Sequence, residues 1–429
     1  MIARLVLLDA ARSWRLWCAS FVVMVAAALV ALVCAGDVAT ARSLADPVDR
    51  AGLMNHAMIF GTMNAVVVIG SLWVLITFTV RLQRRGYALW QFAGVGPGTI
   101  RRVVLGQALV VALVALAVAL ALLPWALSAV MTVLSAPLRD IGAPPLTATL
   151  GLVEVLVAGG AYLAVVLLSA LSGARAARST PALLAVRDVE EPDRGPGRLR
   201  VAFAIVTAVL FVGMLVAMAF GVYGITSMFL VPAMLLVVVT APWLVPIVMR
   251  GWTRLVPSSA PAWLLARETA AFASARSHAA VSLFTVTLLL GAFTGLAGLW
   301  DEGSDPAAGL AIFGTPVAVV LLTGTSTVLM TALGRRRDTA LAVVVGSTWR
   351  TATAAAVLEA VIVVVTSLLI ALPLALLSST AALTSWTDPL RPVPPLAGVA
   401  LVVMLLATTA PVGQVRRRAL GPVLAGAGA

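Results

Sequence analysis

An all-α integral membrane protein with about ten transmembrane helices is the fold class that this sequence predicts. Hydrophobic residues make up 62% of the 429 residues and charged residues only 11%, whereas an ordinary soluble domain is about 45–50% apolar and about 25% charged. Apolar runs of about 20 residues recur along the whole chain, and this length crosses a bilayer. Each run must be helical, because unpaired backbone groups are not tolerated in lipid.

Ten apolar runs are long enough to span the membrane. They lie near residues 17–36, 57–80, 103–134, 149–172, 201–222, 226–249, 280–299, 308–332, 353–378 and 394–413. The first run is longer than the apolar core of a signal peptide, so we predict a retained helix. The predicted outer loops are short, with residues 37–56 the largest of them, and the inner segments 173–200 and 250–279 are longer and polar.

The arginines are distributed asymmetrically. All 29 positively charged residues are arginine, and no lysine occurs. With a cytoplasmic N-terminus, 25 arginines fall in inner segments and four, Arg42, Arg50, Arg139 and Arg391, fall in outer loops. This asymmetry predicts that both termini are cytoplasmic. A P-loop needs a lysine, so the chain does not hydrolyse ATP by that route.

The sequence predicts no metal site. Cys18 and Cys34 both lie in the first apolar run, and His56 and His278 are far apart in the sequence. Two thiols cannot form a metal-binding or disulfide framework of the usual spacing. We interpret the cysteines as small apolar fillers of the membrane helix.

Two segments of the chain, 84–107 and 336–359, repeat each other at an offset of 252 residues. The matching positions are Arg84 and Arg336, Arg85 and Arg337, Ala88 and Ala340, Leu89 and Leu341, Gly94 and Gly346, and Gln107 and Glu359. Each copy follows one predicted span and opens another, so the spans are arranged as four, two and four. The two halves share one membrane orientation, as in parallel repeats.

We interpret the repeated segment as a short cytoplasmic helix. The arginine pair would stop the incoming span at the headgroups. The side chains that can then pack along an interfacial helix are Tyr87, Leu89, Trp90 and Phe92. The glycine-rich stretch 94–98 ends this helix, and Pro97 suits the first turn of the next one, where its missing N–H costs nothing.

These motifs resemble the FtsX-like permease domain of ABC transporters. The shared pattern is a basic pair, an apolar Ala-Leu step, Gly94 followed by Pro97, a second basic pair and a membrane helix with an early Gln or Glu. Residues 171–187 are similar to the end of that domain. The resemblance covers roughly 1–187 and, in a degenerate form, 262–420. The arrangement of four, two and four spans is similar to bacitracin-resistance-type exporters, but the large extracellular domain common in the family is missing here.

The resemblance implies that segments 84–97 and 336–349 are coupling helices that dock on a cytoplasmic ABC ATPase dimer, one permease chain per two ATPase chains. ATP and Mg would then act only through that partner, and the chain itself would be a non-catalytic subunit of a bacterial plasma membrane. The implied docking residues are Arg84, Arg85, Tyr87, Leu89, Trp90, Gly94, Pro97, Arg336, Arg337, Asp338, Leu341, Gly346 and Trp349. The family's acidic position falls on Gly86 in the first copy and on Asp338 in the second, so we expect two unequal docking sites.

The resemblance also divides the chain into domains. We expect a first FtsX-like unit at 1–187, a cytoplasmic linker with two spans at 188–255, and a second, degenerate unit at 256–418. Residues 419–429 are rich in glycine and alanine, and we expect a flexible tail.

Three polar residues inside the predicted spans are candidates for a functional role, because ionisable groups at membrane depth are often functional. Glu359 and its counterpart Gln107 lie near the inner ends of their spans, where Glu359 either pairs with an arginine or contributes to gating. Glu154 either lines an outward cavity or makes an interhelical hydrogen bond. Gly291 and Gly295 form a small-residue pair that suits close helix packing.

The function that these observations favour is transport by the membrane subunit of an ABC exporter. Without an outer domain, the expected substrate is reached from the membrane and is a lipid, a hydrophobic peptide or an amphipathic antibiotic. A non-transporting sensor or scaffold of the same fold is the alternative, because the second copy is degenerate. A secondary transporter is a third possibility, which the scarcity of buried acids disfavours.

Overall fold

The computed structural model describes residues 14–134, 148–179, 198–220, 226–272, 274–296, 313–381 and 390–416. Within these ranges the chain forms eleven α-helices and no strand. They are α1 (Trp14–Ser43), α2 (Pro47–Phe92), α3 (Pro97–Leu134), α4 (Leu152–Ser179), α5 (Arg198–Ala219), α6 (Thr226–Leu255), α7 (Pro261–Phe272), α8 (Ser274–Leu296), α9 (Thr315–Val344), α10 (Trp349–Ala381) and α11 (Val393–Arg416).

The helices confirm the predicted all-α, multi-pass membrane class. Eight of the described helices, α1 to α6, α10 and α11, are long and apolar enough to cross a membrane. The described apolar parts of predicted spans seven and eight, His278–Thr294 and Thr315–Met330, are shorter. The total of ten spans and the cytoplasmic location of the termini therefore stay predictions.

The outer loop expected at 37–56 is almost entirely helical, which corrects the sequence-based prediction. Helix α1 continues to Ser43 and α2 begins at Pro47, so three residues connect them. The Asp46 carboxylate accepts a hydrogen bond from the Val48 N–H at 2.8 Å and caps α2, as aspartate does at many helix starts. The Arg50 guanidinium donates to the Leu44 carbonyl at 2.7 Å and closes the turn.

Helices α1 to α4 form the core of the first compact unit, Met1–Gly197 with Asp305–Val319. Helix α1 contacts the other three helices. The hydroxyls of Ser20 and Thr79 lie 2.8 Å apart between α1 and α2. The hydroxyls of Thr77 and Ser172 lie 3.2 Å apart between α2 and α4. Small hydroxyl side chains that bond between membrane helices let their backbones approach closely.

The second compact unit contains α5 to α8, α9 from Val320 onward, α10 and α11. The two helices of the predicted linker, α5 and α6, therefore pack as part of this unit. Helix α8 contacts α6, α10 and α11, and every residue from 279 to 293 is buried. A Cβ at Gly291 would lie 2.1 Å from Leu396 Cδ1, which confirms that Gly291 serves close packing. The surroundings of Gly295 lie outside the described side chains.

Helix α6 contains three prolines, and an arginine compensates for one of them. Pro242 has no N–H, so the helix leaves the Val238 carbonyl without its usual donor. The guanidinium of Arg200 in α5 donates to Val238 O at 3.4 Å and to Val239 O at 3.0 Å. The same group lies 6.0 Å from the centroid of the Trp243 ring, within the range of a cation–π contact. Arg200 thus joins α5 to α6 at the site of the missing backbone bond.

Candidate functional site

The expected coupling helices are not separate helices, which corrects the prediction for 84–97 and 336–349. Helix α2 continues through Arg84 and Arg85 to Phe92, and α9 continues through the matching arginines to Val344. No proline interrupts this part of α2, and one exposed glycine, Gly86, weakens a helix by only about 1 kcal/mol. Each segment therefore consists of three parts: the end of a long helix, a tight turn, and the start of the next helix.

We predict that Gly86→Ala raises the stability of the protein by up to about 1 kcal/mol, because alanine favours a helix interior over glycine. A Cβ at this position meets no atom within 4 Å. Thermal unfolding of the purified chain in mild detergent measures the effect. A lower unfolding temperature for the variant would mean that the helix ends near the arginine pair.

The first turn has a Schellman hydrogen-bond pattern at the end of α2. The N–H of Gly94 donates to Gln91 O at 3.0 Å, and the N–H of Val95 donates to Trp90 O at 2.9 Å. Gly94 has a φ of 85°, a left-handed conformation that glycine adopts without a steric penalty. Two orphan carbonyls of the helix end are satisfied in this way. Pro97 then begins α3, as predicted.

The second turn reproduces this pattern at the offset of 252. The N–H of Gly346 donates to Val343 O at 3.0 Å, and the N–H of Ser347 donates to Ala342 O at 3.0 Å. Gly346 also has a positive φ, of 108°. The repeat seen in the sequence is therefore a repeat of backbone structure, although few of its side chains match.

A buried aromatic cluster anchors the first turn. Tyr87 is 2% exposed, and it belongs to a core of side chains from α2, α3 and α4. The members are Val80, Tyr87, Ile100, Val104 and Ala174, with Trp90 and Val95 packed against them. The Tyr87 and Trp90 rings meet edge to face at 5.9 Å, a favourable aromatic geometry. This cluster ties the turn to two further helices of its unit.

A different aromatic residue, at a position that does not match Tyr87 or Trp90, anchors the turn of the second unit. Ala352 and Ala356 of α10 stand where Ile100 and Val104 stand in α3, and together with Val412 of α11 they form a small core. Trp349, the first residue of α10, packs against this core. The anchor thus comes from the helix after the turn in the second unit and from the helix before it in the first.

Both turns expose apolar side chains at matching positions. Leu89 and Phe92 of α2 correspond to Leu341 and Val344 of α9, and Val345 follows in the second turn. These five side chains are between 46% and 88% exposed, and we call them the apolar turn surfaces. The side chains of Arg84, Arg85, Arg336, Arg337 and Asp338 lie outside the described residues.

Gln107 and Glu359 occupy the same place in α3 and α10, ten residues after the first residue of each helix, and both are buried. The Tyr87 hydroxyl donates to Gln107 Oε1 at 3.3 Å and lies within hydrogen-bond distance of Gln83. Gln107 therefore fixes the end of α2 against α3. The two roles of Glu359, pairing with an arginine and gating, stay predictions.

Glu154 lies in the first turn of α4 and is partly exposed. Its carboxylate folds over the start of its own helix, because a Cβ at Gly151 would lie 2.5 Å from Glu154 Oε2. A negative charge at this position interacts favourably with the helix dipole. The described contacts thus give Glu154 a helix-capping position and include no hydrogen bond from it to another helix.

Asp37 is a buried acid that sequence reasoning missed. It is fully buried in α1, and neither carboxylate oxygen has a hydrogen-bond partner among the described residues. The neighbouring Thr40 hydroxyl donates instead to Gly36 O at 2.8 Å and accepts from the Thr149 N–H at 3.1 Å. The sequence carried one signal for this burial. Between Gly36 and Ser43 there is no proline and no further glycine, so the helix can continue past Asp37.

We predict that Asp37→Asn stabilises the protein by about 1 kcal/mol or more, because a buried charge without a partner is costly. Asp49→Asn, in the exposed first turn of α2, is the matched control and should be neutral or slightly destabilising. Chemical or thermal unfolding in detergent compares the two variants. Destabilisation by Asp37→Asn would indicate that the carboxylate has a binding partner outside the described residues.

Comparison of the chain with protein-family models, with curated proteins and with solved structures found no match. The described helices define a multi-pass α-helical membrane protein. The particular features of this protein are two helix–turn–helix segments with the same backbone geometry, each presenting an apolar turn surface.

Proposed function

We propose that this chain is the transmembrane subunit of an ABC transporter and that each of its two turns docks on a separate ATPase chain. The observation that carries the proposal is the pair of matching turns, with one hydrogen-bond pattern and a positive-φ glycine in both. Two equivalent surfaces in one chain suit two copies of one partner. The exposed leucines and their apolar neighbours supply the buried core that a specific interface needs.

The length of α2 supports docking by a partner that lies outside the membrane. Its 46 residues extend about 69 Å, whereas the hydrocarbon core of a bilayer is about 30 Å thick. Arg81 is the first arginine in the half of α2 that we expect to face the cytoplasm. Phe92 lies about 16 Å further along the helix. With Arg81 at the headgroups, the turn stands clear of the bilayer and is accessible to a soluble ATPase.

The side chains behind the turns supply the mechanical connection. In the first unit, a push on the turn reaches α3 and α4 through Tyr87 and Trp90. In the second, it reaches α10 and α11 through Trp349. Closure of an ATPase dimer would therefore shift packed helices as rigid bodies, which is a common form of domain movement.

The short connection between α1 and α2 favours a substrate taken from the bilayer. Three residues join α1 to α2, so this connection offers no room for an extracellular binding domain. We propose export or membrane extraction of a lipid, a hydrophobic peptide or an amphipathic antibiotic. Such molecules partition into the bilayer, from which they can reach the helices sideways.

The test is purification of the tagged chain from native membranes in mild detergent, with identification of the co-eluting proteins and their stoichiometry. We expect two copies of a P-loop ATPase per chain, and an ATPase rate that depends on the chain. Preparations without an ATPase in two different detergents would contradict the proposal. That outcome would favour a sensor, a scaffold or a secondary transporter.

A further inference from the structure

The connection between α6 and α7 forms a corner that the proposed transport function does not use. Trp252 near the end of α6 and Trp263 in α7 meet edge to face at 6.1 Å. The Trp252 indole N–H donates to the Thr366 hydroxyl of α10 at 3.0 Å. Trp252 thus holds the corner against a membrane-spanning helix, and Trp263 packs on Trp252.

Two arginines of the corner have no acidic partner among the described residues. Arg250 and Arg254 are exposed and lie one helical turn apart on α6, a spacing that places their side chains side by side. Arg267 of α7, in contrast, pairs with Glu268 at 2.9 Å. Two adjacent guanidinium groups without a carboxylate form a site for an anion with several oxygen atoms.

The corner also offers an apolar surface. Trp263 is 7% exposed and supports the corner from inside. Leu255 of α6 and Leu264 of α7 are exposed. The corner therefore combines cationic donors with apolar contacts, which match the phosphate and acyl chains of a phospholipid.

The depth of the corner fits the headgroup region of a bilayer. The membrane-spanning part of α6, Leu230–Leu255, ends at the corner, and its last turns carry Arg250 and Arg254. Arginine side chains at the end of a span lie at the bilayer surface, where tryptophans are also favoured.

We infer that the α6–α7 corner binds the headgroup of an anionic phospholipid, with Arg250 and Arg254 on the phosphate and the exposed Leu255 and Leu264 against its acyl chains. The site is independent of the proposed transport function, because it needs neither an ATPase nor a substrate. Anionic lipids of the inner leaflet interact favourably with each arginine near the surface.

The test measures binding of phosphatidylglycerol and phosphatidylcholine to the purified full chain by native mass spectrometry and by lipid titration in detergent. We expect phosphatidylglycerol to bind in preference to phosphatidylcholine. The double variant Arg250→Gln with Arg254→Gln should weaken phosphatidylglycerol binding roughly 10- to 30-fold. Trp263→Phe keeps the ring and removes an N–H that is enclosed by protein, so phosphatidylglycerol binding should stay unchanged.

The matched control is Arg101→Gln with Arg102→Gln, which removes the same charge from an exposed pair on α3. This control should change phosphatidylglycerol binding by less than threefold. Equal losses in both double variants would overturn the inference, because attraction would then be non-specific. Full competition by millimolar inorganic phosphate would also overturn it, since the site would then recognise a free anion and not a lipid.

Discussion

Replacement of both Leu89 and Leu341 by aspartate is expected to abolish binding of the partner ATPase to this chain. The two leucines occupy the same position in the two turns and are exposed there. Burial of a leucine at an interface core contributes strongly to affinity, and a charge in its place is left desolvated. We expect each single variant to lower affinity at least about 30-fold, which corresponds to about 2 kcal/mol.

The measurement is ATPase association by co-purification, together with the ATPase rate that the chain stimulates. Val48→Asp is the matched control, because Val48 is an exposed apolar residue at the other end of α2. This control should bind the ATPase normally. If the double leucine variant also binds normally and folds correctly, the turns are not docking sites, whatever else the chain transports.

The single leucine variants also test whether the two docking sites are unequal. The first turn is held to α3 by Tyr87, Trp90 and Gln107, whereas the second is held by Trp349. We expect Leu89→Asp to reduce the stimulated rate more than Leu341→Asp, since a rigid turn transmits a displacement better. Equal losses would show that both turns couple alike.

Substitution of alanine at Gly94 or Gly346 is expected to destabilise the turns by about 1–2 kcal/mol, with the larger loss at Gly346. Neither added Cβ meets an atom within 4 Å, so the loss would come from the backbone alone. The φ of 85° at Gly94 lies nearer the left-handed helical region than the 108° at Gly346. Asparagine tolerates that region better than alanine does, so Gly94→Asn should cost less than Gly94→Ala.

Thermal unfolding in detergent measures these losses, and Gly98→Ala is their control. Gly98 lies in the first turn of α3, and a Cβ there also meets no atom within 4 Å. Its φ is not positive, so alanine should stabilise the helix slightly. Equal unfolding temperatures for all three alanine variants would show that the positive φ angles do not matter for stability.

Hydropathy and charge were sufficient to predict the class of the protein and the positions of most helices. Apolar runs of about 20 residues have only one stable form in lipid, so their helical structure needs no knowledge of neighbours. The turns were predictable for a similar reason, since Gly94 and Gly346 stand where a helix must end and Pro97 where another begins. The lengths of the helices were less predictable, because α2 passes through polar residues that permit a helix without requiring one.

The parts of the site that sequence reasoning missed are contacts between distant residues. Nothing in the local sequence indicates that Arg200 would bond the carbonyl left open by Pro242, or that Trp252 would reach Thr366. The burial of Asp37 was missed because the residue was assigned to a loop. The different anchors of the two turns were also hidden, since Tyr87 and Trp349 are not at matching positions.

The sequence alone determined that this is a multi-pass helical membrane protein with a repeated, glycine-ended segment, because composition, periodicity and turn chemistry act along the chain. Only the tertiary structure decided that both segments share one backbone geometry and that their aromatic anchors come from opposite sides of the turn. It also decided that Asp37 of α1 is buried. These properties depend on which helices pack together. Helix packing in a bilayer is set by close contacts between small and polar side chains far apart in sequence, and such contacts exist only in the folded protein.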